Sequence, residues 1–347
     1  MILVVFLAAL SESGWTTAGE SLSEVPSAIT SIALTEEGHV FFLDRWQFLI
    51  FHLDENGREV SVFGRRGEGP GEMDQPYNLQ YLKESRQLYV TDFSKPEMLV
   101  FDTKGESLPG SIRAGMENPL LLTSNRALVL LTADPFLEPD QGCRLVIRHP
   151  SGEDRPFLQF SSRDHEDDIH AEHKGARGTM RFNWQNRVLS AVTPDRQTLF
   201  IGSTRNLEFA VYRSSDLKKV DTIHQEKVIR PPLTQAEVNA YPVYVGLMGK
   251  RFRAKDFEQP DFKPPVADIM ADNQARLWVR LSRAWERKES TYLVWQRNGE
   301  FLGSLSLPAT EKLFAAGEHF IWTYDRNQDE DWVIQKKPYN LSPPTQY

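Results

Sequence analysis

Short apolar runs separated by polar turns recur along this chain in copies of about 40 residues. That recurrence limits what it can fold into more than any other feature. The clearest copies are SIALTEEGHVFFLD…LIFHLDENGREVSVFG, beginning at Ser31, and DIMADNQARLWVRL…TYLVWQRNGEFLGSLSL, beginning at Asp268. Each copy holds several runs of strand length. Successive side chains of a strand point to opposite sides, and here both sides are apolar: Val40 and Phe42 on one, Phe41 and Leu43 on the other. A small sheet with two apolar faces needs a neighbour on each. Copies that cover one another around a closed ring meet that need. The pattern therefore predicts an all-β β-propeller in which each copy is a blade.

Turn residues set the frame. Asn56-Gly57, Lys104-Gly105 and Asn298-Gly299 mark hairpins, because these pairs tolerate positive φ. The first turn of each copy falls at Gly38, Ser85, Asn125, Asp195, Asn273 and Gly317. This predicts a six-bladed β-propeller. The third and fourth gaps are much longer than the rest, so insertions are expected at about residues 161–187 and 225–265. The first is polar and short. The second carries Pro231-Pro232 and then Thr234-Gln235-Ala236-Glu237, a capping box that opens a short helix. A seventh blade hidden in the second insertion stays open. The last copy has three clear strands, and a bare strand edge is disfavoured. Residues Ser21 to Val25 are expected to pair with Trp332 to Lys336 and close the ring.

The ends and the charge bound the setting. Ile2 to Leu10 is apolar but too short to span a bilayer, and Thr16-Thr17-Ala18 offers small residues for cleavage. Residues 1–18 therefore read as a signal peptide, although no Lys or Arg precedes the apolar run. The remaining 19–347 read as a single propeller, periplasmic or secreted, with no membrane span after the signal is removed. Cys143 stands alone and can form no intrachain disulfide. A net charge of −8 argues against a nucleic-acid partner.

Phe63-Gly64-Arg65-Arg66-Gly67-Glu68-Gly69-Pro70-Gly71-Glu72-Met73, followed by Pro76, resembles the inter-blade loop of NHL-repeat-like six-bladed propellers. Leu88-Tyr89-Val90-Thr91-Asp92, Met98 to Asp102, Arg276 to Val279 and Phe301 to Ser304 resemble the same frame. The Asn and Arg usual in the middle loop are replaced by Arg45-Trp46-Gln47-Phe48 and Lys95-Pro96-Glu97, which implies a divergent, exported bacterial relative. The glycine-rich loop invites a phosphate-binding reading. No Lys-Ser/Thr pair and no helix follow it, so a tight crossing between two blades explains it better.

The resemblance also raises metal-dependent hydrolases and lyases, whose metal sits in the central channel. Here the innermost strands read SIAL, NLQYL, LLLT, LSAVT, VADIM and KLFAA, and only Asn78, Gln80 and Asp268 are obvious ligand types. His165, His170 and His173 lie in an acidic run of the first insertion without a standard zinc spacing. They are weak metal candidates beside the plainer reading of a solvated loop, and no cofactor is expected. The better candidate surface mixes aromatics and cations: Arg177, Arg181 and Trp184 from the first insertion, Tyr241, Tyr244, Arg251 and Arg253 from the second. These could roof one mouth of the ring, since loops on a rigid scaffold commonly carry binding. The plainer reading is a cap packed on the blades. The sequence thus points to a non-catalytic binding propeller for a protein or glycan, with a secreted metal-dependent hydrolase or lyase as the alternative.

Overall fold

The computed structural model describes residues 4–11, 14–21, 26, 28–109, 112–113, 118–122, 128–132, 143–149, 153–161, 169–173, 176–180, 182, 184–226, 228–241, 244–245, 251–257, 259–326 and 332–343. Five four-stranded antiparallel sheets form along the chain. Their innermost strands are Ile29–Leu34 (blade 1), Pro76–Leu82 (blade 2), Asn118–Leu122 (blade 3), Val188–Val192 (blade 4) and Val266–Ala271 (blade 5).

The expectation of six like blades needs correction. Among the described residues there are five regular blades, and the sheet that joins the two ends of the chain is of another kind. It is five-stranded and mixed, with Lys312–Ala316, Phe320–Arg326 and Trp332–Pro338 joined by Val4–Ser11 and Gly14–Ser21. We call it the closing sheet. The closing contact also differs from expectation. Trp332–Pro338 is indeed the strand that gains a partner, but the partner is Val4–Ser11, in parallel, with Phe6 opposite Gln335 and Leu7 opposite Lys336. Residues 22–25 of the expected closing strand lie outside the described residues. Val4–Ser11 also pairs antiparallel with Gly14–Ser21, so two strands are added at this edge.

Packing follows the doubled apolar pattern. In Val40–Asp44 every residue is buried. Phe41 and Leu43 enter the core shared with Leu79, Tyr81, Leu88 and Val90 of blade 2. Val40 and Phe42 enter the core shared with Ala315, Trp322 and Ile334 of the closing sheet. Burying a side chain such as Phe41 contributes roughly 1.5–3 kcal/mol. Blades 4 and 5 share Phe200, Phe209, Leu277 and Trp295, and Trp278 and Val294 of blade 5 meet Ala316 and Ile321 of the closing sheet. Trp278, Trp295 and Trp322 are thus core residues.

The glycine-rich loop is a crossing. Met73 is fully buried. Its N–H donates to Arg65 O at 2.9 Å. The Glu72 carboxylate receives the Gly69 N–H at 2.8 Å and sits 2.8 Å from Arg65. That backbone bond and the Arg65 charge hold the Glu72 carboxyl below the usual range.

Both insertions contain strands that the sequence did not suggest. Ile169–His173 pairs with Ala176–Met180, and Tyr244–Val245 pairs with Arg251–Phe252. The expected helix is present as α1, Gln235–Ala240, with both bonds of the capping box between Thr234 and Glu237. Among the described residues no helix is long and apolar enough to cross a membrane.

Candidate functional site

Chain direction decides where the insertions go. Each ends where an innermost strand begins, at Val188 and at Val266. Both therefore emerge at the channel mouth where innermost strands start. Antiparallel pairing returns the turns between second and third strands to the same mouth, among them Arg45–Phe48 and Ser282–Lys288. The first turns, including Thr193–Gln197, lie at the opposite mouth.

The structure joins Trp184 and Tyr241, as the roof idea requires, but as a core. Their rings meet edge to face at 5.0 Å. Phe182 stacks on Trp184 at 4.9 Å and meets Phe257 edge to face at 5.6 Å. Trp184 is buried with Phe182, Val238 and Ala254, so it organises the cap and offers little surface to a ligand. Arg253 is exposed. Arg177, Tyr244 and Arg251 sit on the two insertion hairpins, and the positions of their side chains lie outside the described residues, as does Arg181 altogether. His170 and His173 lie on Ile169–His173, while His165 lies outside the described residues. Among the described residues no three His, Cys, Asp or Glu side chains gather as a metal site.

Beside this cap lies a cleft of about 550 Å³ between Trp184, Tyr241, Ser282 and Ser290, edged by Trp285. Its charged lining is Arg187, Lys263, Arg280, Arg283 and Lys312 against Glu237 and Asp268. Both carboxylates already have cations: Lys263 Nζ is 2.5 Å from Glu237, and Arg280 is 3.5 Å from Asp268. Glu237 is further tied by the capping box, accepting the Thr234 N–H at 3.2 Å. Arg187 donates to Ala267 O at 2.6 Å, and Arg283 to Arg287 O at 2.7 Å. Lys312 lies 5.8 Å over the Tyr324 ring. Among the described residues Arg187, Arg283 and Lys312 make no salt bridge. Trp285 is 44% exposed and, on the same face, Trp46 is 69% exposed.

Sequence reasoning missed Arg187, Lys263, Arg280, Arg283, Trp285 and Lys312. The signal was present: Arg280 to Lys288 holds four cations and a tryptophan at the end of one strand of blade 5 and the turn that follows it. Behind the cleft, burial pushes the phenols of Tyr292 and Tyr324 up, and Tyr292 Oη accepts the Leu313 N–H at 3.3 Å. These phenols stay protonated and firm the wall.

No protein-family model matches the sequence, and no curated protein matches it. Solved structures do. A member of the DUF4221 family from Bacteroides vulgatus superposes with a TM-score of 0.55 at 12% identity, over 98% of this chain and 97% of that one. A protein named as exported, from Bacteroides fragilis, superposes with a TM-score of 0.52 at 12% identity, over 93% of this chain and 83% of that one. The chain is an all-β propeller. A gluconolactonase from Xanthomonas campestris superposes with a TM-score of 0.46 at 13% identity, over 90% of this chain and 88% of that one, and its activity stays with that protein.

Proposed function

We propose that this propeller is an exported, non-catalytic binding protein that takes an acidic glycan, or an acidic segment of a protein, in the cleft beside its two insertions. The observation that carries the reading is the excess of cation there. Arg187, Arg283 and Lys312 line the cleft without carboxylate partners among the described residues, next to the exposed ring of Trp285. Arginine suits carboxylate and sulfate groups through its fixed fork of donors. A tryptophan beside it suits the apolar face of a sugar ring. The concave shape favours a chain of sugars over a flat protein surface.

Binding of polygalacturonate, followed by calorimetry against neutral dextran, tests the idea. Selective binding is expected that weakens with salt, as screening requires. The Arg283→Ala/Lys312→Ala double variant and Trp285→Ala should each lose about tenfold in affinity, roughly 1.4 kcal/mol, with unchanged melting. Binding that is equal for the neutral polymer, or untouched by these changes, removes the proposal. Preference for acidic peptides over the sugar would assign a protein partner instead.

The same proposal includes the leader reading of residues 1–18, whose removal leaves Lys312–Ala316, Phe320–Arg326 and Trp332–Pro338 as a three-stranded closing sheet, in a ring of divergent NHL-like type. N-terminal sequencing of protein recovered outside the cytoplasm checks the leader. A start near Gly19 supports it. Retention of Val4–Ser11 in its pairing with Trp332–Pro338 overturns it.

A further inference from the structure

We propose that the channel cavity at the mouth opposite the insertions is a second site, which seats a small oxyanion, a phosphate or carboxylate group, on Arg196. This cavity measures about 240 Å³ and is lined by the innermost strands, with Ser31, Asn78, Ser190 and Thr193 among its polar residues. Arg196 stands in the first turn of blade 4 and is only 7% exposed.

Its side chain spans to blade 2. Nε donates to Tyr81 O at 3.1 Å, Nη2 to the same oxygen at 2.9 Å, and Nη1 to Gln80 Oε1 at 3.1 Å. Both acceptors are neutral. A guanidinium has five N–H donors, so two remain. Among the described residues no carboxylate comes within salt-bridge distance of it. Asp272, the carboxylate that lines the same cavity, is already taken up: it receives Arg276 Nε at 2.6 Å, Trp278 Nε1 at 2.8 Å and the Gln274 and Arg276 N–H groups at 2.9 and 3.0 Å.

A charge removed from water without a counter-charge is costly. Burial pushes the Arg196 guanidinium down to about 10, with exposed Glu84 offsetting this from a distance. It therefore stays charged at neutral pH. The turn also holds it in place: its φ is 57°, and Ser214 Oγ donates to its carbonyl. A fixed, dry cation that lines a small cavity and has donors to spare is an oxyanion seat.

The experiment uses the full chain. Inorganic phosphate, sulfate and acetate are titrated at constant ionic strength against chloride, with thermal stability and calorimetry as readouts. Saturable binding of at least one oxyanion is expected, and which one binds separates a phosphate from a carboxylate ligand. Arg196→Met should weaken it by about tenfold or more, while Arg86→Ala, at the matching turn of blade 2, should leave it unchanged. A crystal of the wild-type protein soaked in selenate should show anomalous density at the guanidinium, which does not depend on the variant folding. Absence of saturable binding, density confined to the outer surface, or undiminished affinity in a folded Arg196→Met protein each overturns the proposal.

Discussion

Two buried arginines in this ring are held in opposite ways. Arg276 of blade 5 is matched: its Nε meets Asp272 at 2.6 Å, and its Nη2 reaches Gly317 O and the Tyr339 hydroxyl, each at 2.7 Å. Among the described residues Arg196 of blade 4 meets backbone and amide oxygens alone. Tyr339 stands on Trp278 edge to face at 5.4 Å, so the Arg276 network ties the C-terminal segment to blade 5. A charge that is paired and fully bonded has a structural explanation. An unpaired one in a cavity calls for a ligand. His52 of blade 1 shows a third solution. It is 6% exposed, stacks on Phe41 at 4.1 Å and bonds His39 at 2.8 Å. Burial, then the nearby His39, push it down to about 4, so it is neutral at physiological pH. Histidine can give up its proton, whereas arginine cannot.

This contrast can be broken at several points. Asp272→Ala strips Arg276 of its charge partner and leaves buried donors open. A loss of about 3–5 kcal/mol in denaturant unfolding is expected, and a loss below ~1 kcal/mol would show that the pair is not what holds the segment. His52 comes next. Its folded value lies below the ordinary 6.5, so the unfolded chain binds the proton more readily. The stability present above pH 6.5 is lost as pH falls toward about 4, by roughly 3 kcal/mol at about 1.4 kcal/mol per pKa unit. His52→Phe keeps the stack and should flatten that slope; an unchanged slope places the acid sensitivity elsewhere.

Arg196→Met should change anion-free stability by under about 1 kcal/mol, because relief of charge burial offsets three lost bonds to neutral acceptors. A loss near that of Asp272→Ala would make Arg196 a structural strut. Arg86→Ala is the smallest. Its guanidinium is 69% exposed and 3.4 Å from Glu37, and an exposed pair contributes about 0–1 kcal/mol.

Legibility of the fold ran along the same lines. The blades showed because a buried strand with two apolar faces has a local signature, as in Val40 to Leu43. The glycine-rich crossing showed because Gly67 and Gly71, at φ 154° and 73°, occupy conformations that other residues avoid. The first turns were harder. The left-handed position is taken by Gly38 at 89°, Arg86 at 52°, Arg196 at 57° and Ala275 at 57°. Neighbouring bonds overrode local preference there, and nothing in the residue types said that one arginine would be wet and the other dry. The insertion hairpins were hidden by polar composition. The cleft cations were hidden because they come from four separate stretches of chain.

The amino-acid order on its own determined the class of fold, the positions of the insertions and the Thr234–Glu237 cap, since each depends on residues close in sequence. Ring closure decided the rest. Which strand covers Trp332–Pro338, which carboxylates are already bonded, and that Arg196 crosses to a carbonyl of blade 2 depend on groups brought together from distant parts of the chain. Charge and solvation act through space, so the partner of a buried ion becomes known only when the ring is complete.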